Sequence, residues 1–279
     1  MKVRALSAII AVALLIGITL IWKTQGLYVI CALATFGGTF EYSRLIQSFP
    51  FIQSERSGFA NQLHLRVAFL VFSTVVFYAT TLANPEFILL AIALSAVLFF
   101  TMVLMAVRTV DDLAGAIHFQ CLGSMGLIYC GVFPGLGTRL LQLDERGLWL
   151  FALLAIVFSG DTLAYLSGQV FGRHQLLKPV SPKKTIEGAL GGLVGSAVAG
   201  AVIALLFAEN VPVLTMVILS LVTGAFAQIG DLIESLIKRV AEVKDSGAIM
   251  PGHGGFLDRL DGVLFAAPVF YAFVRFLVS

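Results

Sequence analysis

The sequence predicts an all-α, polytopic integral membrane protein with about nine transmembrane helices. Of its 279 residues, 59% are hydrophobic and only 12% are charged, whereas a soluble domain carries about 25% charged residues. The mean hydropathy is +0.98, and apolar runs of about 20 residues, the length a helix needs to cross the hydrocarbon core, recur from end to end. Strand-like alternation of polar and apolar residues is absent, which argues against a membrane-spanning barrel.

The apolar runs place the helices in order along the chain. Lys2 and Arg4 precede the first run, which resembles a signal peptide but lacks a clear cleavage site, so we expect a retained helix. Asn84 and Pro85 predict a tight turn between the third and fourth helices, and Pro134 is expected to end the fifth. The predicted helices cover residues 5–22, 27–42, 66–82, 87–106, 118–133, 148–171, 187–208, 211–232 and 262–278.

These helices predict one membrane-embedded domain over residues 1–279. Within it, residues 1–147 form the N-terminal helices, and residues 148–279 form the C-terminal catalytic part.

The distribution of basic residues predicts the orientation in the membrane. With the N-terminus in the cytoplasm, 14 of the 18 Lys and Arg residues fall on the cytoplasmic side and three on the other, which is the bias expected from the positive-inside rule. The same orientation places the loops 172–186 and 233–261 together on the cytoplasmic face of the cell's inner membrane. The net charge of +2 gives no reason to expect nucleic acid as a partner.

The loop 233–261 concentrates charged residues and glycines. Its basic side chains can neutralise phosphate charges, and the glycines around His253 let the backbone approach a ligand closely. Each residue alone also fits an ordinary role, such as a basic pair that holds orientation or a turn. The combination in one loop favours a phosphate site. The basic residues are Lys238, Arg239, Lys244 and Arg259.

Three carboxylates accompany this loop. Asp258 and Asp261 are three residues apart near the start of a predicted helix, so they are expected to share a face. Asp231, at the end of the eighth predicted helix, can add a third carboxylate. Carboxylates are hard oxygen ligands that suit Mg²⁺ shared with the phosphates of a nucleotide. The alternative for Asp258 is a surface salt bridge to Arg259, which would contribute little to stability.

The second charged stretch is Ser181-Pro-Lys183-Lys184-Thr185, directly before a glycine-rich helix. Anions bind well at helix N-termini, where backbone donors are free, so this stretch is a candidate triphosphate site. A helix cap with a membrane-orienting basic pair explains the same residues equally well.

Two features lie inside the spans. Asp161 interrupts an apolar run, and a charge there usually faces a cavity and has a function. The alternative is that the predicted span is misplaced and Asp161 lies at its end. Small residues spaced by four from Gly188 to Gly200 permit close helix packing, either within the chain or, less expectedly, at a homodimer interface.

The run from Ser235 to Asp261 resembles the motif of the phosphatidate cytidylyltransferases, also called CDP-diacylglycerol synthases. The resemblance covers Ser-x-x-Lys-Arg, Lys-Asp-Ser-Gly, Pro-x-His-Gly-Gly and Asp-Arg-x-Asp with their spacings. The Asp161-Thr162 and Ala164-Tyr165 pairs, the run 181–188, and Gly230-Asp231 with Glu234-Ser235 are similar to the same family. The resemblance is most specific over roughly the last 120 residues.

The resemblance implies transfer of a cytidylyl group from CTP to phosphatidic acid, a lipid of the surrounding membrane, with release of pyrophosphate. It implies Mg²⁺ as cofactor, with a second cation allowed, held by Asp231, Asp258 and Asp261. His253 is expected to orient a phosphate or relay a proton. The residues expected to bind the substrates are Ser181, Lys183, Lys184, Thr185, Lys238, Arg239, Lys244, Arg259 and Asp161. Two alternatives are a cytidylyltransferase for another lipid phosphate and an ion-coupled transporter in which Asp161 and Asp231 relay ions.

Overall fold

The fold was obtained as a computed structural model, which describes residues 2–50, 52, 63–144, 146–207, 211–247 and 254–278, with side chains from 24 to 277. The described chain is mostly helical, and seven of its helices are long and apolar enough to cross a membrane. The predicted fold class, an all-α multi-pass membrane protein, is therefore confirmed. The helices are α1 (Lys2–Gln47), α2 (Leu63–Leu82), α3 (Pro85–Ala106), α4 (Asp112–Leu127), α5 (Phe133–Arg139), α6 (Leu148–Phe171), α7 (Ile186–Leu206), α8 (Val213–Val240) and α9 (Leu257–Val278), with a two-stranded hairpin, β1 (Gln175–Leu177) and β2 (Ser181–Thr185), between α6 and α7.

Three predicted boundaries are wrong. The first two predicted helices form the single helix α1 of 46 residues, which at 1.5 Å per residue is about 69 Å long. Pro134 does not end a helix, because a π-helical segment, Ile128–Val132, joins α4 to α5 and changes the local hydrogen-bond pattern where the ring enters. Helix α8 continues past residue 232 to Val240, so Lys238 and Arg239 lie on its last turn.

The chain divides into two compact units. The first consists of Met1–Arg139 and Ile237–Arg259. Aromatic side chains form much of its core: Tyr42 stacks on Phe69, and Phe99 contacts both Phe69 and Phe119. All four rings are at most 2% exposed, so α1, α2, α3 and α4 meet around this cluster.

The second unit consists of Leu140–Leu236 and Leu260–Ser279. Small residues bring its helices together, since a side chain at Gly191 or Gly195 of α7 would collide with α6, and one at Gly200 with Ser220 of α8. The small-residue stripe in α7 is thus used for packing within the chain. Self-association of two copies stays a prediction.

The hairpin is the one part of the described loops with regular strand pairing. Strands β1 and β2 pair antiparallel, with Gln175 opposite Thr185 and Leu177 opposite Ser181. The Thr185 hydroxyl accepts a hydrogen bond from the Gly188 amide at 3.1 Å and so caps α7. The hairpin therefore leads directly into α7. The cap fixes the position of β2 and its lysines relative to the start of that helix.

Candidate active site

Asp231 on α8 and Asp261 on α9 come together in the second unit. A side chain at Gly230 would lie 2.7 Å from the Cβ of Phe265 and collide with the Asp261 carbonyl oxygen. The absence of that side chain lets α9 pack against α8 beside Asp231. The close helix packing therefore places the two carboxylates near each other.

Glu234 joins this pair as a third acid. Its side chain is fully buried, hydrogen-bonds to the carboxyl group of Asp261, and adds to the charge repulsion that Asp261 experiences from Asp231. Mutual repulsion at such short range is relieved by a cation or a shared proton. We call Asp231, Glu234 and Asp261 the acidic cluster.

Lys184 forms an ion pair with Asp231. The lysine lies in β2, where successive side chains point to opposite faces, so Lys183 points away from Lys184 and is exposed. The side chains of Lys184 and Asp231 are 28% and 36% exposed, which leaves the pair accessible to a ligand. A lysine that the sequence assigns to phosphate and an aspartate that it assigns to metal are thus direct neighbours.

The acidic cluster can supply part of a coordination shell for Mg²⁺. Among the described residues, no three His, Cys, Asp or Glu side chains converge as a complete metal site. Mg²⁺ usually takes one or two protein carboxylates and completes its shell with water and substrate phosphates. Asp231 and Asp261 meet that requirement, and the repulsion between them would favour a bound cation.

Glu187 holds the loop between α6 and β1. Its carboxylate accepts from the Arg173 and His174 amides at 3.0 and 3.2 Å and contacts His174 Nδ1 at 2.6 Å. These contacts tie the start of α7 to residues 173 and 174, and so fix the base of the hairpin that carries Lys184.

Asp258 occupies a different environment, in the first unit. Its Oδ1 accepts from Lys238 Nζ at 2.6 Å, and its Oδ2 accepts from the amides of Ser246 and Gly255, both at 2.8 Å, and from Ser246 Oγ at 2.9 Å. The side chains of Asp258 and Lys238 are 8% and 12% exposed, respectively. Both oxygens of Asp258 are therefore occupied by donors from this chain, and its assignment to metal stays a prediction.

The glycines after residue 253 bring the backbone onto buried carboxylates. Gly254 has φ of +82°, a conformation that L side chains rarely adopt. A side chain at Gly255 would collide with Glu41 and Ser246. Within the first unit, these glycines bring the backbone close to the carboxylates of Asp258 and Glu41, and their approach to a ligand stays a prediction.

The other predicted site residues have simpler positions. Arg239, Lys244 and Arg259 are exposed, and Ser181 is half-buried in β2. Asp161 is exposed on α6, one turn before Tyr165, whose hydroxyl accepts a hydrogen bond from Gln169 at 2.7 Å. His253 lies outside the described residues.

Reasoning from the sequence missed two acids, Glu41 and Glu234. Both are buried, at 1% and 0% exposure. Each is a carboxylate near the end of an apolar helical run, which is the signal that could have identified it, because ionisable residues in spans usually have a function. Glu234 lies within the family motif but has no role predicted from it, and Glu41 lies outside every motif.

Named relatives resemble parts of this chain. A phosphatidate cytidylyltransferase of Bacillus subtilis is 38% identical over 149 residues, covering 53% of this chain and 55% of that protein. Those of Brucella abortus and Staphylococcus saprophyticus are each 43% identical, over 154 and 120 residues, covering 53% and 43% of this chain and 55% and 46% of theirs. The chain thus spans about half the length of the curated relatives it matches.

The family model extends much further. The model described as the cytidylyltransferase family matches residues 2–277, which includes the acidic cluster, the hairpin and the Asp258 network. The resemblance drawn from the motifs is confirmed, and the chain belongs to the cytidylyltransferase family.

Proposed function

We propose that this protein transfers the cytidylyl group of CTP to phosphatidic acid and forms CDP-diacylglycerol and pyrophosphate. The observation that carries the proposal is the Lys184–Asp231 ion pair beside Asp261, in a chain of the cytidylyltransferase family. This arrangement joins a cation suited to phosphate, Lys184, to acids suited to a metal, Asp231 and Asp261. The relatives are named for phosphatidate as the acceptor, which favours this lipid over other lipid phosphates.

The reaction is a substitution at phosphorus. A phosphate oxygen of phosphatidic acid attacks the α-phosphorus of CTP, a new P–O bond forms, and the bond from the α-phosphorus to the bridging oxygen of the β-phosphate breaks. Pyrophosphate leaves with that electron pair. Such transfers need mainly positioning and charge neutralisation from the protein.

Each charged group has a proposed part in this reaction. Asp231 and Asp261 would hold Mg²⁺, with Asp258 added from its spacing in the sequence and a second cation allowed. When bound, the metal would neutralise the triphosphate and the leaving pyrophosphate. Lys184 would leave Asp231 to contact a phosphate as the nucleotide enters. Further phosphate contacts are proposed for Lys183, Lys238, Arg239, Lys244 and Arg259.

Purified protein in detergent tests this function. Pyrophosphate release should require both CTP and phosphatidic acid, should stop when a chelator removes divalent cations, and should fall sharply when ATP, GTP or UTP replaces CTP. Pyrophosphate release without the lipid, or with any other lipid phosphate at equal rate, would contradict the proposed acceptor.

Lys184 should contribute more to CTP use than its exposed neighbours on the hairpin. Lys184→Ala should lower kcat/KM for CTP roughly ten- to hundredfold, because a charge-assisted phosphate contact contributes about 1.5–3 kcal/mol. Lys178→Ala removes the same charge from the turn of the hairpin, where the side chain is exposed, and should change kcat/KM less than twofold. Equal effects of the two substitutions would show that only the hairpin's overall charge matters.

We also propose that the hairpin and the loop after α8 face the cytoplasm across the inner membrane, as the distribution of basic residues predicts. In a variant without native cysteines, Lys178→Cys and Glu242→Cys should resist an impermeant thiol reagent in intact cells and react after lysis. Glu86→Cys, at the start of α3, should react in intact cells. Labelling of residue 178 or 242 from outside would overturn this orientation.

A further inference from the structure

Glu41 is a buried carboxylate that contacts the chain after α8 at two places, Ser246 and the first residue of α9, Leu257. It lies on α1, near its end, and is 1% exposed. Its Oε2 accepts a hydrogen bond from Ser246 Oγ at 3.1 Å and from the Leu257 amide at 2.9 Å, residues 205 and 216 positions later in the chain. One side chain therefore anchors the chain at Ser246 and again where α9 begins.

The backbone is shaped to receive this carboxylate. A side chain at Gly247 would collide with Glu41 Oε1, and one at Gly255 with Oε2. Gly37 lies one turn before Glu41 on α1, and Phe256 packs over it. A Cβ at Gly37 would lie 2.8 Å from the Phe256 ring. Glu41 thus lies between two stretches of loop backbone, with room for nothing larger than hydrogen at either glycine.

Oε1 of Glu41 has no hydrogen-bond partner among the described residues. A buried carboxylate with one oxygen unpaired is unfavourable in itself, so the bonds that its other oxygen accepts from Ser246 and Leu257 must offset that cost. A buried acid in such a place can serve to hold the neighbouring backbone in one arrangement.

Ser246 connects Glu41 to the Asp258 network. Its hydroxyl lies within 3.1 Å of Glu41 Oε2 and 2.9 Å of Asp258 Oδ2, and its amide donates to the same oxygen of Asp258. Asp258 in turn holds Lys238. The position of Glu41 is therefore transmitted through one hydroxyl to a charged pair that belongs to the proposed phosphate site.

We propose that Glu41 is a positioning residue for the transfer reaction: it fixes Ser246 and the first residue of α9, and through them the placement of Asp258, Lys238 and Lys244. This role rests on the proposed function. Glu41 touches no reacting atom in it and acts by holding Ser246 and Leu257 in place.

Glu41→Ala, Glu41→Gln and a control, Thr39→Ala, test this role. Thr39 is a buried polar residue two positions earlier on α1, whose hydroxyl donates to the Thr35 carbonyl at 2.7 Å and also hydrogen-bonds with Cys130. Hydrogen–deuterium exchange over the segment formed by residues 243–247 and 254–258 reports on these contacts without any turnover, and kinetics with CTP measure the consequence. Glu41→Ala should speed exchange in that segment, and not in α2, and lower kcat/KM for CTP by roughly 10²-fold, the effect of a misplaced site.

Glu41→Gln should recover most of this loss, because its amide oxygen still accepts from Leu257 and Ser246. If Glu41→Ala does not accumulate as folded protein, Ser246→Ala serves instead. It should lower kcat/KM in the same direction, and its effect combined with Glu41→Gln should be smaller than the product of the separate effects.

The outcomes separate this role from the proposed function. A wild-type protein that makes no CDP-diacylglycerol overturns both. An active wild type, with Glu41→Ala matching Thr39→Ala in exchange and in kcat/KM, overturns the role of Glu41 alone. A loss in Glu41→Ala that glutamine does not recover at all also overturns it, since acceptor geometry would then not be what matters.

Discussion

Replacing Asp261 with asparagine should remove nearly all cytidylyl transfer while leaving the melting temperature, Tm, unchanged or higher. Asp261 is repelled by Asp231 and Glu234, and removing one charge from such a cluster relieves repulsion in the folded state. The same change removes a proposed metal ligand, so kcat should fall by roughly 10³-fold. Activity against Mg²⁺ concentration and a thermal melt in detergent measure the two effects.

Asp111→Asn is the matched control for this prediction. Asp111 is an exposed loop carboxylate with no proposed part in the reaction, so its loss should change neither kcat nor Tm. Asp231→Asn should resemble Asp261→Asn in activity. Near-normal turnover with an unaltered Mg²⁺ dependence in both cluster variants would remove the metal assignment.

Replacing Asp258 with asparagine should, unlike Asp261→Asn, clearly lower the stability of the folded protein. The substitution removes the carboxylate charge that faces Lys238, whose side chain is only 12% exposed, and breaking such a buried pair costs about 3–5 kcal/mol. Tm should fall by roughly 5–15 °C. A thermal melt beside that of Asp261→Asn measures the contrast.

A second substitution distinguishes the pair from a general effect on the loop. Lys238→Met combined with Asp258→Asn removes both charges and should recover part of the lost Tm, because replacing a whole buried pair is far less unfavourable than breaking it. If Asp258→Asn kept the wild-type Tm and lost only activity, the hydrogen-bond network would not be structural, and Asp258 would be better explained as a metal ligand alone.

The helices were largely predictable because hydropathy is a local property. Residues 148–171 were placed with the observed bounds of α6. The errors arise where hydropathy and helix formation differ. Charged residues end an apolar run, but Lys and Arg are good helix formers, so α8 continues through Lys238 and Arg239. The polar residues between 23 and 26 likewise do not interrupt α1, since none is a proline.

The acids of the motifs were identified from the sequence, but their environments were not. Spacing suggested that Asp258 and Asp261 act together, whereas Asp258 accepts four hydrogen bonds from nearby donors and Asp261 belongs to the acidic cluster. Such differences depend on contacts between distant residues. The bond from Ser246 to Glu41 spans 205 positions, and no local pattern predicts it.

The fate of the phosphorus atoms of CTP tests the central claim most directly. Purified protein is incubated with phosphatidic acid and CTP labelled in the α- or the γ-phosphate. We predict that the α-label appears in a lipid-soluble product and the γ-label in pyrophosphate, in equal molar amounts. Transfer of the γ-label to lipid, or release of both labels into water without a labelled lipid, would contradict the account.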